Sequence, residues 1–167
     1  IVPERLTGPQ LSFNFTIRIK YLGSDNMELS LIIPCYNEQE SLPIFYEEVT
    51  RVCRSLQCDY QLIFVNDGSK DNTLNILKEF AAKDNHVVYL SLSRNFGKEA
   101  AMYAGFCNAK GDYVAVMDAD MQDPPSLLPE MIKILETGEY DSVATRRENR
   151  AGEPVTVAGL QESFIKS

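Results

Sequence analysis

Asp118 and Asp120 stand one residue apart, with Gln122 and Asp123 close behind. Carboxylates at this spacing suit a hard divalent ion such as Mg2+ or Mn2+, which takes oxygen ligands and commonly shares them with substrate phosphates. Two anions so close together are also costly unless a cation lies between them. The same stretch can serve a helix instead, because Asp123 directly precedes Pro124 and Pro125, at the N-cap of a helix that opens on proline. Asp118 and Asp120 are read as the metal pair, and Asp123 as the cap.

Other groups suit a nucleotide. Asp67 opens the turn DGSKDNT, where its carboxylate could accept hydrogen bonds from a nucleobase N–H. Ser69, Asp71 and Thr73 in the same turn read equally well as helix-capping residues. Tyr36 could stack on a base, and Glu38 could accept from a base or a ribose. Asn37 and Glu40 also fit a capping box. Residues 94–98 form a glycine-containing loop without a Walker sequence, so a P-loop is excluded. Arg146 and Arg147 could hold a pyrophosphate or an acceptor phosphate. Nucleophilic chemistry has little support, since the single histidine, His86, lies in a strand-like run with no Ser or Cys arrangement around it. The GxGxxG fingerprint of dinucleotide enzymes is absent.

These residues need elements to bring them together, and strand and helix signals alternate from residue 28 onward. Residues 29–35 form a continuous apolar run, as in a strand buried on both faces. Leu42, Phe45, Val49, Val52 and Leu56 then recur at helical spacing. Further strands are predicted at 60–66, 86–93, 112–118 and 141–145. Helices are predicted after the second strand (Leu74, Leu77, Phe80), over 97–109, and from Pro124 onward (Leu128, Met131, Ile132, Leu135). This alternation implies an α/β fold with a mostly parallel sheet and helices on both faces. In such sheets the ligand crevice lies outside the carboxyl ends of the strands. Segments 34–38, 66–72, 94–98, 118–123 and 146–150 should therefore converge on one edge.

Composition narrows the function classes. Sixteen basic against 24 acidic residues give a net charge of -8, which disfavours general nucleic-acid binding. An anionic ligand would then need local help from a cation, a helix N-terminus or a metal. No apolar run reaches the roughly 18 to 20 residues of a membrane helix. No signal peptide is recognised, and the four cysteines form no CxxC pair, so the chain reads as cytoplasmic with reduced thiols. Residues 1–26 read as an N-terminal extension whose alternating stretch 11–22 is a possible edge strand. Residues 27–154 read as the working domain. Residues 155–167 read as a divergent tail, poorly ordered or partly helical.

The segments LSLIIPCYNEQESL, FVNDGSKDNT, LSRNFGKEAA and VMDADMQDPP together resemble family 2 glycosyltransferases with the GT-A (Rossmann-like) fold, from Met27 to Pro154. NFGKEAA, DADMQDPP and TRRENRAGEP look most like the branch making polyprenyl-phosphate sugars, which includes dolichyl-phosphate mannose synthases and undecaprenyl-phosphate glucosyltransferases. The resemblance implies that Pro34, Tyr36, Glu38, Val65 and Asp67 surround the nucleoside, with Gly97 and Lys98 beside the base or ribose. It implies that Asp118, Ala119 and Asp120 bridge ribose, metal and diphosphate, that Gln122 joins the metal shell, and that Arg146 lies near the phosphates. Asp120 and Arg146 are the catalytic candidates.

The implied reaction is inverting, metal-dependent transfer from a UDP- or GDP-sugar to a polyprenyl phosphate, at the cytoplasmic face of a membrane reached through other segments. The chain departs from the branch after GEP: Val157–Ala158 stands where an arginine–serine pair is expected, and the following aromatic-rich helix is missing. Two alternatives stand beside this reading. One is a transferase acting on a saccharide acceptor in envelope polysaccharide synthesis, and the other a non-catalytic nucleotide-sugar-binding fragment.

Overall fold

The structure, a computed structural model, describes residues 15–18, 28–56, 58–146 and 156–160, with the backbone alone at 15–18, 146 and 156–160. In chain order the elements are β1 (Phe15–Arg18), β2 (Glu28–Cys35), α1 (Leu42–Ser55), β3 (Asp59–Asn66), α2 (Thr73–Lys83) and β4 (Val87–Ser91). They continue with α3 (Lys98–Phe106), β5 (Tyr113–Val116), a single 3-10 turn (Pro125–Leu127), α4 (Leu128–Glu136), β6 (Ser142–Arg146) and β7 (Thr156–Leu160). One sheet runs in the order β4-β3-β2-β5-β1-β6-β7. Its first four strands are parallel, and β1 and β7 run antiparallel to their neighbours.

The apolar run of β2 makes it the centre of the parallel half. It pairs with β3 along its whole length, from Glu28 opposite Asp59 to Cys35 opposite Asn66, and with β5 from Leu29 to Ile32. Side chains alternate across the pleat. Leu29, Leu31 and Ile33 enter the larger core with Phe45 and Val49 of α1, Leu77 of α2 and Leu135 of α4, while Ile32 enters the smaller core with Ala101 of α3. Helices therefore cover both faces, as the sequence predicts. In the larger core Phe45 meets Phe64 edge-to-face, with centroids 6.4 Å apart, a favoured aromatic arrangement.

Close approach sets two small residues. A Cβ on Gly105 of α3 would lie 2.3 Å from Ile32 Cγ2, and one on Gly111 would lie 2.6 Å from Glu28 O. Ser30 Oγ, buried inside β2, accepts from the Gly111 and Lys110 amides at 2.8 and 3.1 Å and donates to Gln61 Oε1. The strand thus keeps its one internal hydroxyl satisfied while anchoring the turn into β5.

Several expectations need correction. The possible edge strand in residues 1–26 instead lies inside the sheet, because β1 pairs with β5 on one side and β6 on the other. The tail read as poorly ordered or helical contains β7, which pairs Ala158 with Ala144. The helix expected from Pro124 begins at Leu128, since the 3-10 turn intervenes; buried Asp123 is thus too far ahead of it to be its N-cap. No capping box forms at Asn37 and Glu40: α1 is preceded by Ser41, and Asn37 sits in the left-handed region at φ 56. His86 lies just before β4 rather than within it.

His86 instead helps close the end of α2. Asp84, the C-cap, accepts from the His86 amide at 2.9 Å and from Tyr46 Oη at 2.8 Å, and its Oδ1 lies 2.8 Å from His86 Nδ1. Burial of this carboxyl opposes its ionisation, but the hydrogen bonds from His86 and Tyr46 outweigh that and hold it below the usual carboxylate range. A carboxylate with a depressed pKa contributes stability above the unfolded value and loses it as pH falls through the folded one. Asp84→Ala is therefore expected to cost about 2 to 3 kcal/mol at neutral pH. In urea titrations the gap to the wild-type chain should narrow below about pH 4.

Candidate active site

Strands β2, β3 and β5 all end at one sheet edge, and the chain leaving each carries the polar residues singled out above. β6 runs in the same direction as β5, since both are antiparallel to β1, so Arg146 leaves the sheet at that edge too. Its side chain, with Arg147 and segment 147–150, lies outside the described residues. Asp118 lies two residues beyond the β5 ladder, where the chain is free to turn.

The loops after β2 and β3 are buttoned together. Asn37, Glu38 and Gln39 donate their backbone amides to Ser69 Oγ, Thr73 Oγ1 and Asp71, at 2.9, 2.8 and 3.2 Å. In return the Lys70 amide donates to Asn37 Oδ1 and the Asn72 amide to Gln39 Oε1. The turn DGSKDNT thus uses Ser69, Asp71 and Thr73 as acceptors for the neighbouring loop, and Asp71 Oδ1 also accepts from the Thr73 amide that opens α2. Tyr36 is left projecting and exposed. Ser41 Oγ donates to a Glu38 carboxylate oxygen, orienting that side chain.

The third wall comes from residues 94–98. Asp67, buried at 3% exposure, accepts from the Phe96 amide on Oδ1 at 2.8 Å and from the Gly97 amide on Oδ2 at 2.9 Å. Gly97, at φ 99, then turns the chain into α3, and Lys98 Nζ reaches Asp118 Oδ2 at 2.7 Å. Beyond Ala119, which is buried, Asp120 is exposed and accepts from the Gln122 amide on Oδ1 at 3.0 Å. Met121 between them has φ 60, a left-handed conformation costing a non-glycine residue roughly 1 to 2 kcal/mol. The turn that aims Asp120 is held by its surroundings.

Together these walls enclose a cleft of about 340 Å³, floored by Pro34, Cys35 and Ala119 and flanked by Tyr36, Glu38, Asp67, Gly97, Lys98, Asp118 and Asp120. Val65 is buried in the smaller core beneath it rather than lining it, and Gln122 lies outside the lining. Asn95 and Ala101 also line the cleft but were not singled out. For Asn95 the signal was its place in the loop after β4; for Ala101 there was none beyond small size. Cys35 is chemically quiet, because burial first, and the Glu38 and Asp118 carboxylates second, push its thiol well up.

Four carboxylates and one ammonium line the cleft, so a phosphate ligand needs added positive charge. Asp118 and Asp120 offer hard oxygen donors, and among the described residues no group of three or more His, Cys, Asp or Glu is placed to cage an ion alone. That donor set fits Mg2+ or Mn2+ shared with substrate phosphates.

Comparison with known proteins gives the family. Residues 30–164 match the family model described as glycosyl transferase family 2. The chain belongs to that family. Over 124 residues it is 47% identical to the undecaprenyl-phosphate 4-deoxy-4-formamido-L-arabinose transferase of Proteus mirabilis, covering 74% of this chain and 38% of that protein. The chain thus spans less than half the length of this curated relative.

Solved structures of other proteins share the fold. A mannosyltransferase from Pyrobaculum calidifontis, in complex with GDP-Man and Mn2+, aligns with TM-score 0.57 at 20% identity, over 70% of this chain and 34% of that one. S. aureus TarS in complex with UDP aligns with TM-score 0.54 at 22% identity, over 70% and 34%. The fold is GT-A, as the motifs imply. At the cleft, Lys98 makes a half-exposed ion pair of the kind that adds little stability. Lys98→Met is accordingly expected to change unfolding free energy by less than about 0.5 kcal/mol. Its effect should appear instead as weaker nucleotide binding by calorimetry.

Proposed function

We propose that this chain is the nucleotide-sugar half of an inverting, metal-dependent glycosyltransferase that passes a sugar from a UDP- or GDP-sugar to a polyprenyl phosphate. The observation that carries the reading is the single cleft in which Tyr36, Glu38, Asp67 and Lys98 face the Asp118 and Asp120 carboxylates. Exposed Tyr36 offers a stacking surface for a base, and Glu38 an acceptor for base or ribose. Asp118, Asp120 and Gln122 would hold the metal, which when bound supplies positive charge for the departing nucleoside diphosphate. Lys98 adds a cation on the same side, and Arg146, whose backbone ends β6 at that sheet edge, is the residue proposed for a phosphate.

The chemistry on the protein side is mainly positioning and charge. A phosphate acceptor is already ionised at neutral pH, so displacement at the anomeric carbon requires no general base from this chain. The undecaprenyl-phosphate named in the Proteus relative supports a lipid-phosphate acceptor, and the bound GDP-Man and Mn2+ of the archaeal neighbour support the donor class and the ion. Among the described residues no helix is long and apolar enough to cross a membrane. A lipid acceptor would put the reaction at a membrane surface, and the cytoplasmic face is the one proposed. Calorimetry with UDP, GDP and their glucose and mannose conjugates, each with Mn2+ and with chelator, tests the reading. Metal-dependent binding of one nucleotide is expected; no binding of any under either condition would overturn it.

A further inference from the structure

Serine is among the preferred residues at a helix N-cap, where its hydroxyl normally accepts from an amide two or three residues on. Ser41 stands at that position ahead of α1, yet its side chain caps nothing there. The hydroxyl is turned back instead. It donates to a Glu38 carboxylate oxygen and lies 3.3 Å from Glu38 O, so both of its contacts are with one residue of the preceding loop. The capping role therefore does not account for this side chain.

Glu38 is also held along its backbone. Its amide donates to Thr73 Oγ1 at 2.8 Å, and Thr73 is buried at the start of α2. Its carbonyl accepts from the Leu42 amide at 3.0 Å. With the backbone fixed on both sides, the freedom left to Glu38 is that of its own side chain. Ser41 removes it. One carboxylate oxygen is engaged, while the other accepts no hydrogen bond among the described residues. Even the engaged oxygen retains a lone pair. Glu38 lines the nucleotide cleft, whereas Ser41 does not.

Glutamate is among the side chains with the most rotamer freedom to lose when they are ordered. A carboxylate ordered before the ligand arrives spares binding that cost, which is the advantage of preorganisation. We infer that Ser41 is a positioning residue for the nucleotide site: it holds one oxygen of Glu38 and so presents the other to a hydroxyl or N–H donor of the nucleotide. The inference deepens the proposed function and rests on it for the identity of the ligand. Ser41 lies outside the cleft lining, so its effect on binding must pass through Glu38.

Two measurements test this on the whole chain. The first needs no nucleotide: side-chain 13C relaxation of Glu38 in the wild-type protein, in Ser41→Ala and in Ser41→Thr. The Glu38 order parameter is expected to fall below about 0.6, the flexible range, in Ser41→Ala. It should keep the wild-type value in Ser41→Thr, which retains the hydroxyl. An unchanged order parameter in Ser41→Ala would overturn the inference. Urea unfolding supplies the control, because a hydroxyl that caps nothing can be removed without moving the midpoint. A lowered midpoint for Ser41→Ala would overturn the inference in favour of a helix cap.

The second is a double-mutant cycle in UDP and GDP affinity, with Mn2+, across the wild-type chain, Ser41→Ala, Glu38→Ala and the double variant. A roughly fivefold loss from Ser41→Ala alone should shrink to less than about 1.5-fold in the Glu38→Ala background. Ser41→Thr should bind as the wild-type chain does. Equal losses from Ser41→Ala in both backgrounds would overturn the inference in favour of a role for Ser41 that does not involve Glu38. If the wild-type chain binds neither nucleotide, the proposed function fails, while the relaxation measurement still decides whether Ser41 holds Glu38.

Discussion

Asp120→Asn is expected to remove metal-dependent nucleotide binding while leaving the chain folded. Asp120 is exposed, and its only internal hydrogen bond among the described contacts is to the Gln122 amide of its own turn. Asparagine can keep that bond through its carbonyl oxygen, so unfolding free energy should shift by less than about 0.5 kcal/mol. The charge, however, is lost at the position where the proposed hard cation would need it. With one of two carboxylates gone, affinity for the nucleotide in the presence of Mn2+ should fall on the order of 100-fold, about 2.8 kcal/mol. Binding measured with chelator should be the same for both proteins. A variant that kept the wild-type response to Mn2+ would remove Asp120 from the site.

Asp118→Asn should differ in an informative way. Its carboxylate answers both the proposed ion and Lys98, at 2.7 Å. Neutralising it leaves the lysine without its partner and free to meet a phosphate directly. Part of the affinity lost with the metal is then recovered, so a smaller effect than that of Asp120→Asn is expected. Titrating the two variants side by side separates the carboxylate that serves the cation alone from the one that also restrains Lys98.

How much of this was legible beforehand follows from which information is local. The apolar run of β2 announced a central strand because burial on both faces forces such a composition, and strand ends then marked the polar edge without further knowledge. That reasoning gathered Tyr36, Glu38, Asp67, Lys98, Asp118 and Asp120, which the cleft brings together. It misplaced β1, because strict alternation says that one face is wet but not which strands lie on either side. It missed β7 for a similar reason: TVAGL acquires its strand only by pairing with β6.

The partners of the loop side chains were equally invisible. Ser69, Asp71 and Thr73 have the composition of helix caps, and Asp71 does meet the Thr73 amide. Their additional bonds run to Asn37, Glu38 and Gln39, more than 30 residues away, and no spacing rule reports such contacts. Asp67 shows the same limit. Its position at a strand end was readable, whereas its amide donors depend on where the chain returns after β4. Val65 faces the smaller core by strand alternation, which places it under the cleft rather than in its lining.

Gly68→Ala should be the most damaging small substitution near the site. Gly68 adopts φ 66, and an added Cβ would lie 2.3 Å from Arg94 C and 2.5 Å from Asn95 N. Those neighbours are backbone, so no rotamer change relieves the clash. The left-handed conformation alone costs alanine about 1 to 2 kcal/mol, and forcing the loop outward adds roughly 1 to 3 kcal/mol. Gly138 supplies the control, because it has a similar φ of 73 with nothing within 4 Å of its added Cβ. Gly138→Ala should cost only the conformational part. Urea unfolding is expected to separate the two by at least about 1 kcal/mol. The displaced loop is the one that Asp67 holds, so Gly68→Ala should also weaken nucleotide binding under conditions where it remains folded, and Gly138→Ala should not. Equal stability losses would mean that the segment after β4 yields easily, and then the close approach at Gly68 could not be what fixes Lys98 beside Asp118.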